Sequence, residues 1–312
     1  MVASGDAFDL AVNETDGKPL QLTVFESGFN FSQDGPGNRL VLHLQGCNMR
    51  CPWCANPEGM PVRAPLMQLT HTVPDWVCPL GMIHNGTLDR SRCDACEGRP
   101  CLTDNRSRHL VCRAKTQTLD AWMSEIESAS PMFFGNGGIT LTGGEVGMQL
   151  DAAYELLRMY SERGIHTAVE TNLTHTGSAQ IYPYLNLLIA DYKHYDDDKL
   201  RRICGIGNTQ TEHNLCVALD AGLDVIVRIP MIGGFNVGES EIKGFMQALS
   251  RIASHGHDGQ LSIELLTYHE FGREKWAQCG LEYKMENAYV HGDDLRAFSN
   301  ALMNAGFHCL ST

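Results

Sequence analysis

The sequence of 312 residues contains no uninterrupted apolar run of about 18 residues or more, so no segment reads as a membrane-spanning helix. It is poor in basic residues: 24 Lys and Arg stand against 37 Asp and Glu, the formal net charge is −13, and no basic cluster is present. Nucleic acid and anionic membrane surfaces both require a positive face, and this balance excludes them as partners. Near its start the chain carries Asp6 where a secretory signal would carry a basic stretch and an apolar run, and the expected location is cytoplasmic. Internal repeats and low-complexity tracts are also missing. With 43% hydrophobic and 20% charged residues, the chain is neither disordered nor collagen-like and buries a full core.

Cysteine, by contrast, is plentiful. Eight of the 12 cysteines lie between Cys47 and Cys112. In a reducing compartment disulfides are disfavoured, so clustered thiols point to metal binding or catalysis. The other four, Cys204, Cys216, Cys279 and Cys309, are scattered singly and read as small buried hydrophobes without a role.

Six short apolar runs read as parallel strands: Leu40–Leu44, Gly138–Thr142, Thr167–Glu170, Leu187–Asp191, Asp224–Arg228 and Ser262–Leu266. Helical periodicity falls between or after them, near Leu119–Ser128, Leu150–Glu162, Thr211–Ala221, Glu239–Ser254 and Asp293–Ala305. This alternation implies a mostly parallel sheet covered by helices, as an open sheet or a partial barrel, with the ligand site at the C-terminal strand ends. The rhythm breaks between Glu58 and Gln117, which hold five cysteines and five prolines but no strand-helix unit. A structureless loop of that length does not suit a compact domain, and bound metal can supply the missing order, so residues 58–117 read as an inserted metal-binding domain.

The first strand runs into Gln45-Gly46-Cys47-Asn48-Met49-Arg50-Cys51-Pro52-Trp53-Cys54. Three thiolates on one loop suit three irons of a cubane cluster and leave the fourth iron open; a closed zinc site would have to borrow a fourth ligand such as His43. Thr142-Gly143-Gly144-Glu145 follows the second strand, where two glycines permit close backbone approach and the carboxylate can receive an ammonium. Glu170-Thr171-Asn172 and Asp191-Tyr192-Lys193 end the next two strands. Their acids and carbonyls suit either a hard cation or an internal salt-bridge network.

The spacing Cys-x3-Cys-x-aromatic-Cys, with Trp53 in the aromatic place, resembles the radical S-adenosylmethionine (SAM) superfamily. Upstream, Asp34-Gly35-Pro36-Gly37-Asn38-Arg39 resembles a segment of its glycyl-radical enzyme activating enzymes. The resemblance implies a partial (β/α)6 barrel over residues 1–57 and 118–312, with a small ferredoxin-like iron-sulfur domain inserted. It implies a 4Fe-4S cluster on Cys47, Cys51 and Cys54 that binds SAM through its open iron. One electron passed to SAM would give methionine and a 5′-deoxyadenosyl radical, which removes a Cα hydrogen from a glycine of a partner glycyl-radical enzyme. Trp53, Gly143, Gly144, Glu145, Asp191, Lys193, Arg228 and His269 would then contact SAM, Glu145 at its amino group, Arg228 on its carboxylate side and His269 on its adenosine side. Glu170, Thr171 and Asp191 would hold a monovalent cation, although the family's first acid there is Asp. Asp34 and Arg39 would meet the incoming glycine loop, and a reductant such as flavodoxin or ferredoxin would supply the electron.

Within the insert, Cys93-x2-Cys96-x4-Cys101 lies downstream of Cys78-Pro79. In two-cluster ferredoxins a Cys-Pro cysteine ligates the other cluster, so Cys78, Cys93, Cys96 and Cys101 are expected to bind one auxiliary 4Fe-4S cluster with Cys112 spare. A four-cysteine zinc knob is the rival. Two wider alternatives are a radical SAM enzyme acting on a small molecule or peptide, and an iron-sulfur electron carrier without catalysis.

Overall fold

The computed structural model describes residues 19–31, 33–102, 108–257 and 259–310, so the expectation about the first residues lies outside it. The chain opens with β1 (Gln21–Phe31) and β2 (Asn38–Leu44), joined by the short loop that carries Asp34, so the two strands pair antiparallel. The segment that follows contains β3 (Met67–Gln68), β4 (Ile83–His84), β5 (Thr87–Leu88), helix α1 (Arg90–Ala95) and β6 (Leu110–Val111). Among the described residues its strands pair only with one another, β3 with β6 and β4 with β5. Leu66, Val73, Val77, Ile83, Leu88 and Leu110 form its apolar core together with Cys78, Cys93 and Cys101.

The chain rejoins the main sheet at β7 (Lys115–Thr118), which pairs with β1. There follow α2 (Leu119–Ala129), β8 (Gly138–Gly143), α3 (Leu150–Ser161), β9 (His166–Thr171), β10 (Leu187–Asp191), α4 (Asp197–Cys204), α5 (Thr209–Asp220) and β11 (Val225–Met231). The last elements are α6 (Glu239–Ala253), β12 (Leu261–Thr267), α7 (Arg273–Gln278), α8 (Gly292–Asn304) and β13 (His308–Leu310). One nine-stranded sheet results, in the order β13-β12-β11-β10-β9-β8-β2-β1-β7. All neighbours from β2 to β13 are parallel. The fold is mixed α/β with a mostly parallel sheet. Beyond the six expected strands, the sheet gains a parallel edge strand, β13, and the antiparallel pair β1 and β7.

Strand side chains alternate between faces, and the two faces differ in chemistry. Leu42, Leu44, Ile139, Leu141, Val169, Leu188, Ala190, Val225, Val227, Ile229, Ile263 and Leu265 face outward into the main core. The helices cover them with apolar stripes, such as Leu119, Trp122, Met123 and Ile126 of α2, whose first turn is capped by Thr118 accepting from Ala121 N. The intervening positions on the inner face include Arg39, His43, Thr140, Thr142, Glu170, Asp191, Arg228 and Glu264. The register places Asp191 beside Arg228, and Arg228 beside Glu264. Next to the edge strand β7, β1 buries Leu22 and Val24, and Trp122 Nε1 donates to the Leu22 carbonyl at 3.0 Å.

Candidate active site

A cavity of about 310 Å³ opens at the C-terminal ends of the parallel strands. Its wall combines Cys47, Cys51, Trp53 and Cys54 after β2, Thr142, Gly143 and Gly144 at the end of β8, Glu170, Thr171 and Asn172 at β9, and Asp191 and Lys193 at β10. Pro230 of β11, Leu266 and His269 at β12, His43 and Asp34 also line it.

The cysteine loop is closed at its base and held from both sides. Gly46 N and Cys47 N donate to the carbonyls of Gly59 and Met60 at 2.8 and 2.9 Å, and Gln45 Nε2 donates to the carbonyls of Glu58 and Pro61. Arg50 Nη1 donates to the carbonyls of Cys47 and Met49 at 2.6 and 2.8 Å. Trp53 packs on Phe235 with ring centroids 4.9 Å apart. From α7, Trp276 Nε1 donates to the Cys54 carbonyl at 2.9 Å, while Lys275 pairs with the buried Glu58 at 2.7 Å. Burial, with smaller contributions from Glu145 at Cys47 and from Cys51 at Cys54, pushes the Cys47 and Cys54 thiols up to about 12. The thiols therefore stay neutral until a cation draws off their protons. Among the described residues no group of three or more His, Cys, Asp or Glu side chains closes around a single metal ion. Three thiols on one rigid loop, facing a common cavity with the Lys193 ammonium beside Cys51, fit an anionic iron-sulfur cluster with one open position.

The Gly-Gly-Glu turn is packed onto this loop. Gly143 has φ +105°, and a Cβ there would lie 2.6 Å from the His43 backbone; at Gly144 it would lie 2.1 Å from the Gly46 carbonyl oxygen. Both positions thus require glycine. Glu145, expected to receive an ammonium, does not line the cavity. Its carboxylate accepts from Thr171 Oγ1 at 2.5 Å, Asn172 N at 2.8 Å and Gly147 N at 2.9 Å. Burial raises its pKa above the ordinary carboxylate range, and these three donors offset part of the rise.

The strand-end charges form an internal network. Lys193 Nζ lies 2.8 Å from Asp191, and although burial opposes its charge, Asp191 and Cys51 hold its pKa above the ordinary lysine value. Arg228 does not line the cavity. Its Nη1 lies 2.6 Å from Glu170, its Nε 2.5 Å from Glu264, and its Nη2 donates to the Gln33 carbonyl. Thr142 Oγ1 donates to the other oxygen of Glu170 at 2.8 Å. Glu170 and Asp191 thus each face a cationic side chain, and Thr171 spends its hydroxyl on Glu145.

The two residues expected at the glycine loop separate. Asp34 lines the cavity, accepts from Asn30 Nδ2 and lies 3.8 Å from Arg228. Arg39 has no exposed surface, which corrects the expectation that it meets a partner. Its guanidinium donates to Thr140 Oγ1 at 2.7 Å and to the carbonyls of Pro36, Ile139 and His166, so it fastens the Asp34 loop to β8 and β9 from below. Burial, partly offset by Asp34, lowers its pKa to about 10. His269 is exposed at the mouth and stacks on Phe271, centroids 4.2 Å apart.

In the segment between β2 and β7, Cys78, Cys93 and Cys101 share a small core, and Cys96 ends α1 beside them. Burial first, then the neighbouring Cys78 and Cys101, pushes the Cys93 thiol up to about 11. Cys112 stands apart from that group in receiving a hydrogen bond from Arg99 Nη1 at 2.8 Å. Sequence reasoning missed Glu264 and Cys204. A lone carboxylate amid the apolar residues Ile263, Leu265 and Leu266 was the available signal for Glu264, whereas nothing local marks Cys204, which packs against Cys51.

Residues 41–249 match the family model of the radical SAM superfamily. The 4-hydroxyphenylacetate decarboxylase activating enzyme of Clostridioides difficile (strain 630) is 29% identical over 94% of this chain and 96% of its own length. From Oleidesulfovibrio alaskensis, the isethionate sulfite-lyase activating enzyme is 34% identical over 78% of this chain and 82% of its own. The choline trimethylamine-lyase activating enzyme of that organism is 31% identical over 81% and 85%. With the cysteine loop and the glycine turn inside the matched span, the chain belongs to the radical SAM superfamily and, within it, to the activating enzymes of glycyl-radical enzymes.

Proposed function

We propose that Cys47, Cys51 and Cys54 hold the SAM-binding 4Fe-4S cluster, that SAM occupies the strand-end cavity, and that a glycine-bearing loop of the partner enzyme enters beside Asp34. The observation that carries this reading is the convergence of the cysteine loop, Gly143-Gly144, Asp191, Lys193 and His269 on one cavity. When bound, the cluster and SAM supply a one-electron cleavage that yields an adenosyl radical able to take a Cα hydrogen from the glycine.

The chain supplies binding, orientation and exclusion of water. The Lys193 ammonium acts on Cys51 and Cys54 and would balance the charge of a cluster held there. Gly143 and Gly144 let the ligand lie against backbone, Trp53 and His269 offer aromatic walls, and Glu145 ties the turn after β8 to the end of β9 through Thr171 and Asn172. Arg228 acts one layer below, tying Glu170 and Glu264 to the Asp34 loop. The Arg228 and Lys193 pairs favour a salt-bridge network over a monovalent cation at Glu170, Thr171 and Asp191.

The sheet, closed on its inner side by the Asp34 loop, is read as a partial barrel. Residues 58–117 are read as a ferredoxin-like insert binding one auxiliary 4Fe-4S cluster through Cys78, Cys93, Cys96 and Cys101, and a flavodoxin or ferredoxin as the electron source. In the test, the anaerobically reconstituted protein receives SAM and a strong reductant, and 5′-deoxyadenosine is quantified with Cys51→Ala as control. A glycyl-radical EPR signal is then sought on a candidate partner. Product that depends on Cys51, followed by that signal, is expected; product equal in both proteins would sink the cluster assignment.

A further inference from the structure

The turn that follows the cysteine loop, Asn56-Pro57-Glu58, folds back on Cys54: Asn56 N donates to Cys54 Sγ at 3.4 Å. Glu58, two residues on, is only 1% exposed. Among the described residues its carboxylate oxygens have no other hydrogen-bond partner, and the one cation set against them is Lys275, whose Nζ lies 2.7 Å from Oε1. The same Nζ donates to Asn56 Oδ1 at 2.9 Å, so one ammonium holds both ends of the turn. Its other acidic neighbour, Glu26, is farther away at 3.6 Å and faces solvent with 46% of its side chain. Helix α7, which carries Lys275, is itself fixed along its length. Before its first residue a Cβ on Gly272 would lie 2.6 Å from the Cys54 carbonyl oxygen, and at its middle Trp276 Nε1 donates to that oxygen at 2.9 Å. At its end the Gln278 carbonyl accepts from Arg90 Nη2 at 2.9 Å.

We infer that Lys275 is a positioning residue that sets the reduction potential of the SAM-binding cluster, by neutralising the buried Glu58 carboxylate and by holding the Asn56 N–H on the Cys54 sulfur. The inference rests on Cys54 being a cluster ligand. Reduction adds one negative charge to the cluster. An uncompensated carboxylate buried beside the loop opposes that charge, because little solvent screens it. An N–H donor to a ligand sulfur favours it, and hydrogen bonds to sulfur are among the features that set such potentials. Lys275 cancels the first effect and secures the second, so both make the cluster easier to reduce. Removing Lys275 and removing the Glu58 charge should therefore shift the potential in opposite senses. A role confined to packing gives no such opposition of sign.

The experiment is an anaerobic EPR-monitored redox titration of the full-length reconstituted protein, following the signal that changes on addition of SAM. Wild type is compared with Lys275→Met, Glu58→Gln, the double variant and Lys275→Arg. Lys275→Met is expected to keep its iron, while at the wild-type midpoint its ratio of reduced to oxidised cluster falls about tenfold, equivalent to about 59 mV for one electron. Glu58→Gln raises the ratio, the double variant recovers at least half of the shift caused by Lys275→Met, and Lys275→Arg stays with wild type. Equal midpoints in all five proteins, or Lys275→Met and Glu58→Gln shifted in the same sense, overturn the inference. Loss of the SAM-sensitive signal together with about four irons from Lys275→Met also overturns it, because Lys275 would then only hold the loop together. If Lys275→Met does not fold, Glu58→Gln decides alone, and a midpoint equal to or below that of wild type overturns the inference. A wild-type protein with no SAM-sensitive signal shows instead that the cluster assignment has failed, and the inference falls with it.

Discussion

Replacing Arg228 by Gln removes the cation that lies between two carboxylates on the inner face of the sheet. The side chains of Arg228, Glu170 and Glu264 are only 7%, 16% and 12% exposed, so solvent cannot take over the role of the guanidinium. Removing one partner from a buried ionic group costs about 3–5 kcal/mol, because the remaining charges stay desolvated without compensation. In wild type, burial opposes the charge of Arg228 but Glu170 and Glu264 hold its pKa above the ordinary arginine value, so it remains charged throughout. In the variant both carboxylates lose their counter-ion while staying desolvated. Protonation relieves an uncompensated buried negative charge, so acidification towards about pH 4 removes part of the cost. Urea unfolding at several pH values should therefore show a deficit of about 3–5 kcal/mol at neutral pH that shrinks on acidification. The triple variant Arg228→Met, Glu170→Gln, Glu264→Gln should recover most of the loss. A neutral-pH deficit below about 1 kcal/mol would refute the buried network. So would a Gln variant of normal stability that binds SAM poorly, since Arg228 would then be a direct SAM contact.

Three further outcomes follow from the same structure. Cys93→Ala should remove the insert's iron, roughly half of the total for two 4Fe-4S clusters, while SAM binding persists; unchanged iron analysis would sink the auxiliary site. Gly144→Ala places a Cβ 2.1 Å from the Gly46 carbonyl and should displace the cysteine loop. Absorption and iron analysis should then show the SAM cluster lost and the insert's iron retained, and full loading would contradict the close packing. Glu145→Gln turns an amide nitrogen towards one of three donors and should cost about 1–3 kcal/mol at neutral pH. Because burial raises the wild-type carboxyl above its ordinary 4.5, wild-type stability is lost as the pH rises from 4.5 through the raised value. Denaturation curves should therefore show wild type gaining on the variant as the pH falls through that window, and parallel profiles would contradict the assignment.

The six apolar runs and the helices between them were legible because parallel strands buried on both faces are short and rich in Val, Ile and Leu, while the covering helices carry stripes at three- and four-residue spacing. Helices α2, α3, α5, α6 and α8 begin and end within two residues of the spans their periodicity sets. β1 was not legible because its outer half, Glu26 to Phe31, is mostly exposed and breaks the alternation. The cysteine loop could be read because its three thiols are local in sequence. The partners of Arg228 could not, since Glu170 and Glu264 meet it only through strand register across β9 to β12. Arg39 shows the same limit: its motif marks the Asp34 loop, but only the fold reveals that its guanidinium ties that loop to strand carbonyls from beneath.

The sheet has one face packed with aliphatic side chains and another laced with arginine, lysine and carboxylates, and the two respond to temperature in opposite senses. Cooling weakens the aliphatic face, because the drive to bury apolar surface fades. Warming makes the ionic face cheaper to keep dry, because hydration of charged groups becomes less favourable as temperature rises. The wall that borders the strand-end cavity thus keeps its cohesion in the heat, and at low temperature the helical jacket should loosen first.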